Sequence, residues 1–240
     1  KDFTPLVPGF KTVPYGDLKA LEGAITSKVA AIMLEPLQGE GGVKPPPPGY
    51  MEEVRKLAHK ENILLMLDEV QTGIGRTGKM FAFQHYGIKP DVLTLAKALG
   101  SGVPIGAMLT GEQAVGTFSP GDHASTYGGN PLATAAALAA FDVVEKGLVE
   151  NCAKMGSYFQ DKLATLKPKY PIIQGIRGQG LLIGVELSIP AAPIVDACRE
   201  RGLLILTAGG EILRFLPPLT IQKEDVDTAI GILDLAFAQL

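Results

Sequence analysis

The chain has 240 residues, of which 22 are Lys or Arg and 25 Asp or Glu, for a net charge of −3. That balance offers no basic face to nucleic acid or to an anionic membrane, and no apolar run reaches the ~20 residues needed to cross a bilayer. The length suits one large domain or two modest ones. Two cysteines, Cys152 and Cys198, cannot make a disulfide framework and read as buried thiols in a reducing, cytoplasmic setting.

Residues 1–5 do not form a signal peptide. Pro5 to Pro14 is rich in Pro and Gly and reads as irregular, with a short strand over Phe10–Val13. Asp17 is placed as an N-cap, and Leu18, Leu21 and Ile25 then fall on one helical face. Val29 to Leu34 reads as a buried strand ending at Glu35 and Pro36. A glycine-rich loop with Gln38, Gly39, Glu40, Gly41 and Gly42 follows, then four prolines at 45–48. Proline is excluded from a helix interior, so the next helix begins near Gly49 and carries Met51, Val54, Leu57 and Ala58 on one face.

Ile63–Leu67 is five apolar residues in a row, ending in Asp68 and Glu69. Val92–Ala96 repeats the pattern and ends in Lys97. Runs of this kind are how buried parallel strands look. If the two are parallel neighbours, Asp68 and Lys97 share the carboxyl edge of one sheet, where open α/β sheets bind ligands. Ile105–Leu109 is a further strand, and a polar loop over 119–130 leads into a long helical pattern from Pro131 to about Leu166. Alternating strands and helices imply a mostly parallel sheet with helices on its faces. Downstream, strands over Gly180–Leu187, Leu203–Thr207 and Ile212–Leu216 and helices over Pro193–Arg201 and Glu224–Ala238 imply a smaller α+β domain. The boundary is placed at 141/142, giving domains over 1–141 and 142–240.

Gly73, Gly75 and Gly78 match the spacing of a dinucleotide fingerprint, and with Lys79 they nearly match a P-loop. Both readings weaken. Met80 stands where a P-loop needs a hydroxyl for Mg²⁺, and no crossover helix follows Gly78 as the fingerprint requires. These glycines read better as permitting an irregular loop. His59, His85 and His123 are dispersed without metal-ligand spacing, so no metal site is expected.

Asp68 alone could cap a helix or pair with a surface lysine. Lys97, between two alanines and directly after an apolar strand, must either snorkel out or serve a purpose. Lysine is also the residue suited to Schiff-base chemistry. A carboxylate and a lysine on one edge is the arrangement a pyridoxal 5'-phosphate (PLP) site requires: the lysine holds the aldehyde and the carboxylate keeps the pyridine nitrogen protonated.

Leu67 to Gly73, Gly75 to Gly78 and Pro90 to Lys97 closely resemble the class III (subgroup II) PLP-dependent aminotransferases. So do Glu35 to Gly42, Pro104 to Met108, Ser125 to Pro131 and Leu213 to Pro218, with all motifs in family order. Within the class, Gly202 to Leu204, Thr207 to Gly209, Leu213, Arg214 and Pro120 to Thr126 look most like the acetylornithine type. The resemblance implies a fold-type I transferase with an incomplete, mostly parallel sheet, and a small α+β domain. It implies Lys97 as the Schiff-base lysine and proton shuttle, Asp68 at the pyridine nitrogen, Gln71 at the phenolic oxygen, and Glu69 and Val70 in the same cofactor-contacting turn. Thr126 would bind the cofactor phosphate of a partner subunit and Ser125 would line the substrate pocket there, which implies a homodimer. Arg214 would take the substrate α-carboxylate, with Glu40 as a gate that pairs with it; a structural ion pair of Arg214 with Glu211 or Glu186, and a surface role for Glu40, are the alternatives.

Family members extend further upstream, so the resemblance also implies an N-terminally truncated portion. The glycine-rich phosphate loop, the ring-stacking aromatic and a distal-carboxylate arginine would be missing, phosphate binding poor and sheet surface uncovered. The activity expected of the parent is transfer of an amino group between N2-acetyl-L-ornithine and 2-oxoglutarate. Ornithine, succinylornithine, acetyllysine and 4-aminobutyrate are alternative donors, and a non-catalytic fragment that only dimerises or binds is the rival reading.

Overall fold

The computed structural model describes residues 4–239, so the reading of residues 1–3 as free of a signal peptide lies outside them. Asp17 caps helix α1 (Leu18–Ala24), its side chain accepting from the Ala20 amide at 2.9 Å. Helix α2 (Tyr50–Lys60) starts directly after the prolines, with Glu52 and Glu53 in its first turn and His59 and Lys60 in its last, matching the helix dipole at both ends. Phe10 to Val13 form no strand: Phe10 is fully displayed to solvent, and Pro8 and Pro14, lacking amide hydrogens, flank a segment with no ladder partner.

Strands β1 (Ala31–Leu34), β2 (Leu64–Asp68), β3 (Val92–Leu95) and β4 (Ala107–Thr110) form the first sheet in that order. β1, β2 and β3 are parallel; β4, two residues later than the sequence suggests, joins antiparallel. The apolar runs read as buried throughout, yet burial alternates along β2: Leu65 and Leu67 are sealed with α2, whereas Leu64, Met66 and Asp68 lie on the half-open face. Met33 of β1 and Met108 of β4 are 54% and 49% exposed. Helices of this chain cover one face only, which is why a strand apolar on both sides is half wet.

The helical pattern from Pro131 is two helices, not one. Asn130 caps α3 (Pro131–Val143), accepting from the Ala133 amide at 3.0 Å, with Pro131 at its first position. A widened turn over Val144–Leu148 then contains Gly147 at φ 152°, a conformation closed to side-chain-bearing residues, and α4 (Val149–Ala164) continues beyond it. Phe141, Val144, Leu148 and Val149 pack with the first core, while Cys152, Met155 and Phe159 belong to the second.

That second core lies under an antiparallel sheet of order β5-β6-β8-β7, built from β5 (Ile173–Gln179), β6 (Leu182–Leu187), β7 (Leu206–Thr207) and β8 (Ile212–Phe215). Strand β5 is absent from the sequence reading because Gln174, Gly175, Arg177 and Gly178 hide its alternation. Helices α4, α5 (Ala192–Glu200) and α6 (Lys223–Phe237) cover the sheet. Phe159 packs edge-on against Phe215 with ring centroids 5.3 Å apart, and both cysteines are buried and unpaired, as expected.

The Gly73–Lys79 loop runs between the two cores. Thr72, Ile74 and Thr77 are buried. The Arg76 guanidinium donates to the carbonyls of Leu181 at 3.2 Å and Pro217 at 2.6 Å, and the Arg76 carbonyl accepts from the Leu181 amide and the Cys152 thiol. The amides of all three glycines are turned onto the chain itself, Gly73 to the Glu69 carbonyl, Gly75 to Met80 and Gly78 to Gly75, so the nucleotide-like spacing serves the packing of this loop.

Candidate active site

Asp68, the last residue of β2, pairs with Thr94 of β3, and Lys97 follows three residues after Thr94, so both stand at the carboxyl edge of the parallel strands. The Asp68 side chain accepts from the Val70 amide at 2.9 Å, which fixes it at the start of the turn after β2. Lys97 is solvent-exposed and opens a single 3-10 turn (Lys97–Gly100). Its φ is +47°, in the left-handed region that a side chain disfavours.

Glu35, at the end of β1, is the third charged group on this edge. It accepts from the Gly39 amide at 3.0 Å, and burial pushes its carboxyl above the usual range; Asp68 and Glu40 push the same way, against the Gly39 hydrogen bond and Lys97. The sequence reading took Glu35 only as a strand end. Its signal, an apolar strand ending in a carboxylate, is the one that singled out Asp68.

Arg214 sits in the middle of β8, 6% exposed, and donates to Glu40 Oε1 at 2.6 Å and Gln71 Oε1 at 3.3 Å. Gln71 Nε2 donates in turn to Glu40 at 3.4 Å. The hydrogen bond from Arg214 comes first among the causes that hold the Glu40 carboxyl below its usual range, and Lys97 contributes to the same shift. Glu40 thus stands electrostatically between the arginine and the lysine. The ion-pair alternatives for Arg214 do not form: Glu186 pairs instead with Arg177 at 2.6 Å. Arg214 Nε, buried among apolar neighbours, has no partner among the described residues. A carboxylate placed side-on to the guanidinium would satisfy it.

Glu69 is 1% exposed, and its side chain is committed inward, accepting from the amides of Ala82 at 2.6 Å and Phe83 at 2.8 Å and from the Thr72 hydroxyl at 3.3 Å. Burial nevertheless wins and raises its carboxyl above the usual range. Val70 lies in the same turn, half-buried beside Asp68. Ser125 and Thr126 are not brought to this edge. Both are exposed, Ser125 Oγ accepts from the Gly128 amide at 3.0 Å, and no hydrogen bond among the described residues joins either to Lys97, Asp68 or Arg214.

The family model of the class-III aminotransferases matches residues 1–237. The chain belongs to the class-III aminotransferase family. It is 50% identical over 239 residues to the acetylornithine aminotransferase of Methanothermobacter thermautotrophicus, covering 99% of this chain and 61% of that relative. The enzyme of the same name from Methanocaldococcus jannaschii is 51% identical, with 60% of its length covered. Among solved structures, the ornithine aminotransferase of Toxoplasma gondii, described as having partial occupancy of PLP at its active site, superposes with a TM-score of 0.94 at 40% identity, covering 99% of this chain and 57% of that one. The acetylornithine aminotransferase of Elizabethkingia anophelis superposes at 0.92 and 38% identity, over 98% and 64%. The chain therefore has the fold-type I α/β architecture and spans about three-fifths of the length of these relatives.

Proposed function

We propose that the chain supplies the lysine and the carboxylate-binding arginine of a PLP-dependent aminotransferase. The reaction moves an amino group between N2-acetyl-L-ornithine, or a related ω-amino donor, and 2-oxoglutarate, in arginine biosynthesis. The observation that carries this reading is the single edge on which Asp68 and Lys97 end adjacent parallel strands, with Gln71, three residues after Asp68, meeting Glu40 and buried Arg214. The donor set fits the cofactor: an amine for the aldehyde, a carboxylate for the pyridine nitrogen, and an orphaned guanidinium nitrogen for a substrate carboxylate.

When bound, PLP supplies the electron sink for the Cα carbanion. Lys97 Nζ would hold the cofactor by its aldehyde, and as an amine it would serve as the proton carrier at the substrate Cα. Asp68 would keep the pyridine nitrogen protonated, Gln71 would meet the phenolic oxygen, and the Glu69–Val70 turn would position both. Arg214 orients the substrate by its α-carboxylate, and Glu40 occupies that arginine when no carboxylate does. Thr126 and Ser125, which make no hydrogen bond to this edge among the described residues, are assigned to the site of a second copy; on this reading the enzyme is a homodimer, placed in the cytoplasm with the metabolic reaction it serves. The domain division is placed within the α3–α4 pair, near 141/142.

Replacing Lys97 with Ala tests the reading. In PLP-supplemented protein, amino transfer from N-acetylornithine to 2-oxoglutarate should fall by about 10²–10⁴-fold or more. Transfer undiminished by Lys97→Ala overturns the assignment, and a panel of acetylated against free ornithine decides the donor.

A further inference from the structure

Arg177 makes a contact that no part of the reaction described above uses. It lies in β5, pairs across the sheet with Gly184 of β6, and Gly184 pairs with Arg214 of β8. The three residues form one row across the sheet, with a glycine between two arginines. The loop over 38–44 lies across that row. Its neck is closed by reciprocal backbone hydrogen bonds between Gln38 and Lys44, at 3.0 and 2.9 Å. Its Glu40 takes Arg214 at one end of the row. Val43, fully buried, enters the space above Gly184, where a Cβ would stand 2.8 Å from the Val43 Cβ. At the other end the Arg177 fork closes on the loop's backbone: Nε donates to the carbonyls of Gly42 at 3.1 Å and Val43 at 3.0 Å, and Nη2 to Gly42 at 3.0 Å. The remaining arm, Nη1, is held by Glu186 at 2.6 Å.

Glu40 itself is largely exposed, its side chain 71% accessible. An exposed carboxylate on a loop with Gly39, Gly41 and Gly42 around it has many alternatives in water, and exposed ion pairs are weak when both partners are free to move. Its residence on Arg214 therefore depends on how firmly the loop is anchored elsewhere. We propose that Arg177 is a positioning residue: by clamping the Gly42 and Val43 carbonyls over Gly184, it holds Glu40 on Arg214 and so keeps that arginine masked until a carboxylate competes for it. Val43, at φ +48°, is held in a left-handed conformation that a side chain disfavours, and the fork on its carbonyl offsets that cost. The inference rests on the aminotransferase reading only for its consequence, the timing with which Arg214 meets a substrate carboxylate; the clamp itself is testable without turnover.

The test labels arginines in the folded 240-residue chain with phenylglyoxal, maps Arg214 by peptide mass spectrometry, and follows amide hydrogen exchange over 42–44. In Arg177→Gln, Arg214 should label about tenfold faster and the Val43 and Lys44 amides should exchange faster by a similar factor, that of one lost charge-assisted contact, with α6 amides unchanged. Glu40→Gln should accelerate Arg214 labelling to the same extent, and the double variant should label no faster than the faster single one, because both remove one mask. Arg177→Lys keeps the charge but loses the fork and should fall between wild type and Arg177→Gln, which preserves the test if the glutamine variant folds poorly. Arg214 labelling and loop exchange unchanged in Arg177→Gln, or single-variant effects that multiply in the double, overturn the proposal. Loss of transfer in Lys97→Ala with the clamp intact, or the reverse, keeps the two readings separable.

Discussion

In the first sheet Asp68 is the last residue of β2 and Lys97 stands just beyond β3, whereas in the second Arg214 sits inside β8, with Gly184 on one side and Leu206 on the other. Parallel strands leave their carboxyl ends as a free edge, so functional groups can be added there without disturbing a ladder. An antiparallel strand paired on both sides offers no such edge, and a charge within it must find both room and a counter-charge. Gly184 opens the space above that row for Val43, whose loop brings the counter-charge on Glu40. The sheets differ again in how they are sealed. The second has α4, α5 and α6 over it, while Met33 and Met108 leave the first half open.

The contrast in sealing gives the largest stability difference. Phe159→Ala, in the closed core against Phe215, should cost about 3–5 kcal/mol, whereas Met108→Ala on the open face should stay within about 0.5 kcal/mol. Denaturant midpoints compare them, and near-equal losses would mean that the open face is covered in solution. The junction comes next. Arg76→Ala leaves the carbonyls of Leu181 and Pro217 without their buried donor and should cost about 1.5–3 kcal/mol. Its unfolding should also lose cooperativity between the halves, seen as two transitions by probes placed in each core.

The smallest effect is on pH dependence, and it separates the junction from the site edge. Burial holds the His85 imidazole below its ordinary value, with Nε2 3.1 Å from the Thr77 carbonyl. A folded value below the unfolded one means the stabilisation is complete above about pH 6.5 and is lost as pH falls through the folded value. Wild type should therefore lose stability between pH 7 and 5.5 relative to His85→Gln; parallel curves would contradict this. Glu40, held down chiefly by its hydrogen bond from Arg214, follows the same sign at lower pH: its contribution is complete above the ordinary carboxylate value of about 4.3 and is lost as pH falls through its lower folded value.

Much of this architecture is legible in the sequence because it rests on local patterns. Asp17, Gly49 and Pro131 mark helix starts within a residue of where they form, and the apolar runs before Asp68 and Lys97 give the parallel strands that put both at one edge. What escaped is of another kind. Strand β5 carries too many polar and glycine residues for a two-residue period to show, and it owes its place to β6. The helix break at Gly147 looks like a tolerated glycine until the two cores pull the flanking helices apart. Glu69, one residue beyond Asp68, seems an equal candidate in sequence; strand alternation sends it inward to hold the amides of Ala82 and Phe83. The clamp made by Arg177 carries no local signal, since the Gly42 and Val43 carbonyls it holds are 135 and 134 positions away.

Lys97 adopts a backbone conformation in which any side chain costs roughly 1 kcal/mol and glycine almost nothing. For folding alone the position would be better filled by the smallest residue. The chain instead places there a long flexible amine, at the first position of a 3-10 turn. On the proposed reading, Lys97 is a place where thermodynamic comfort and catalytic use point to different amino acids.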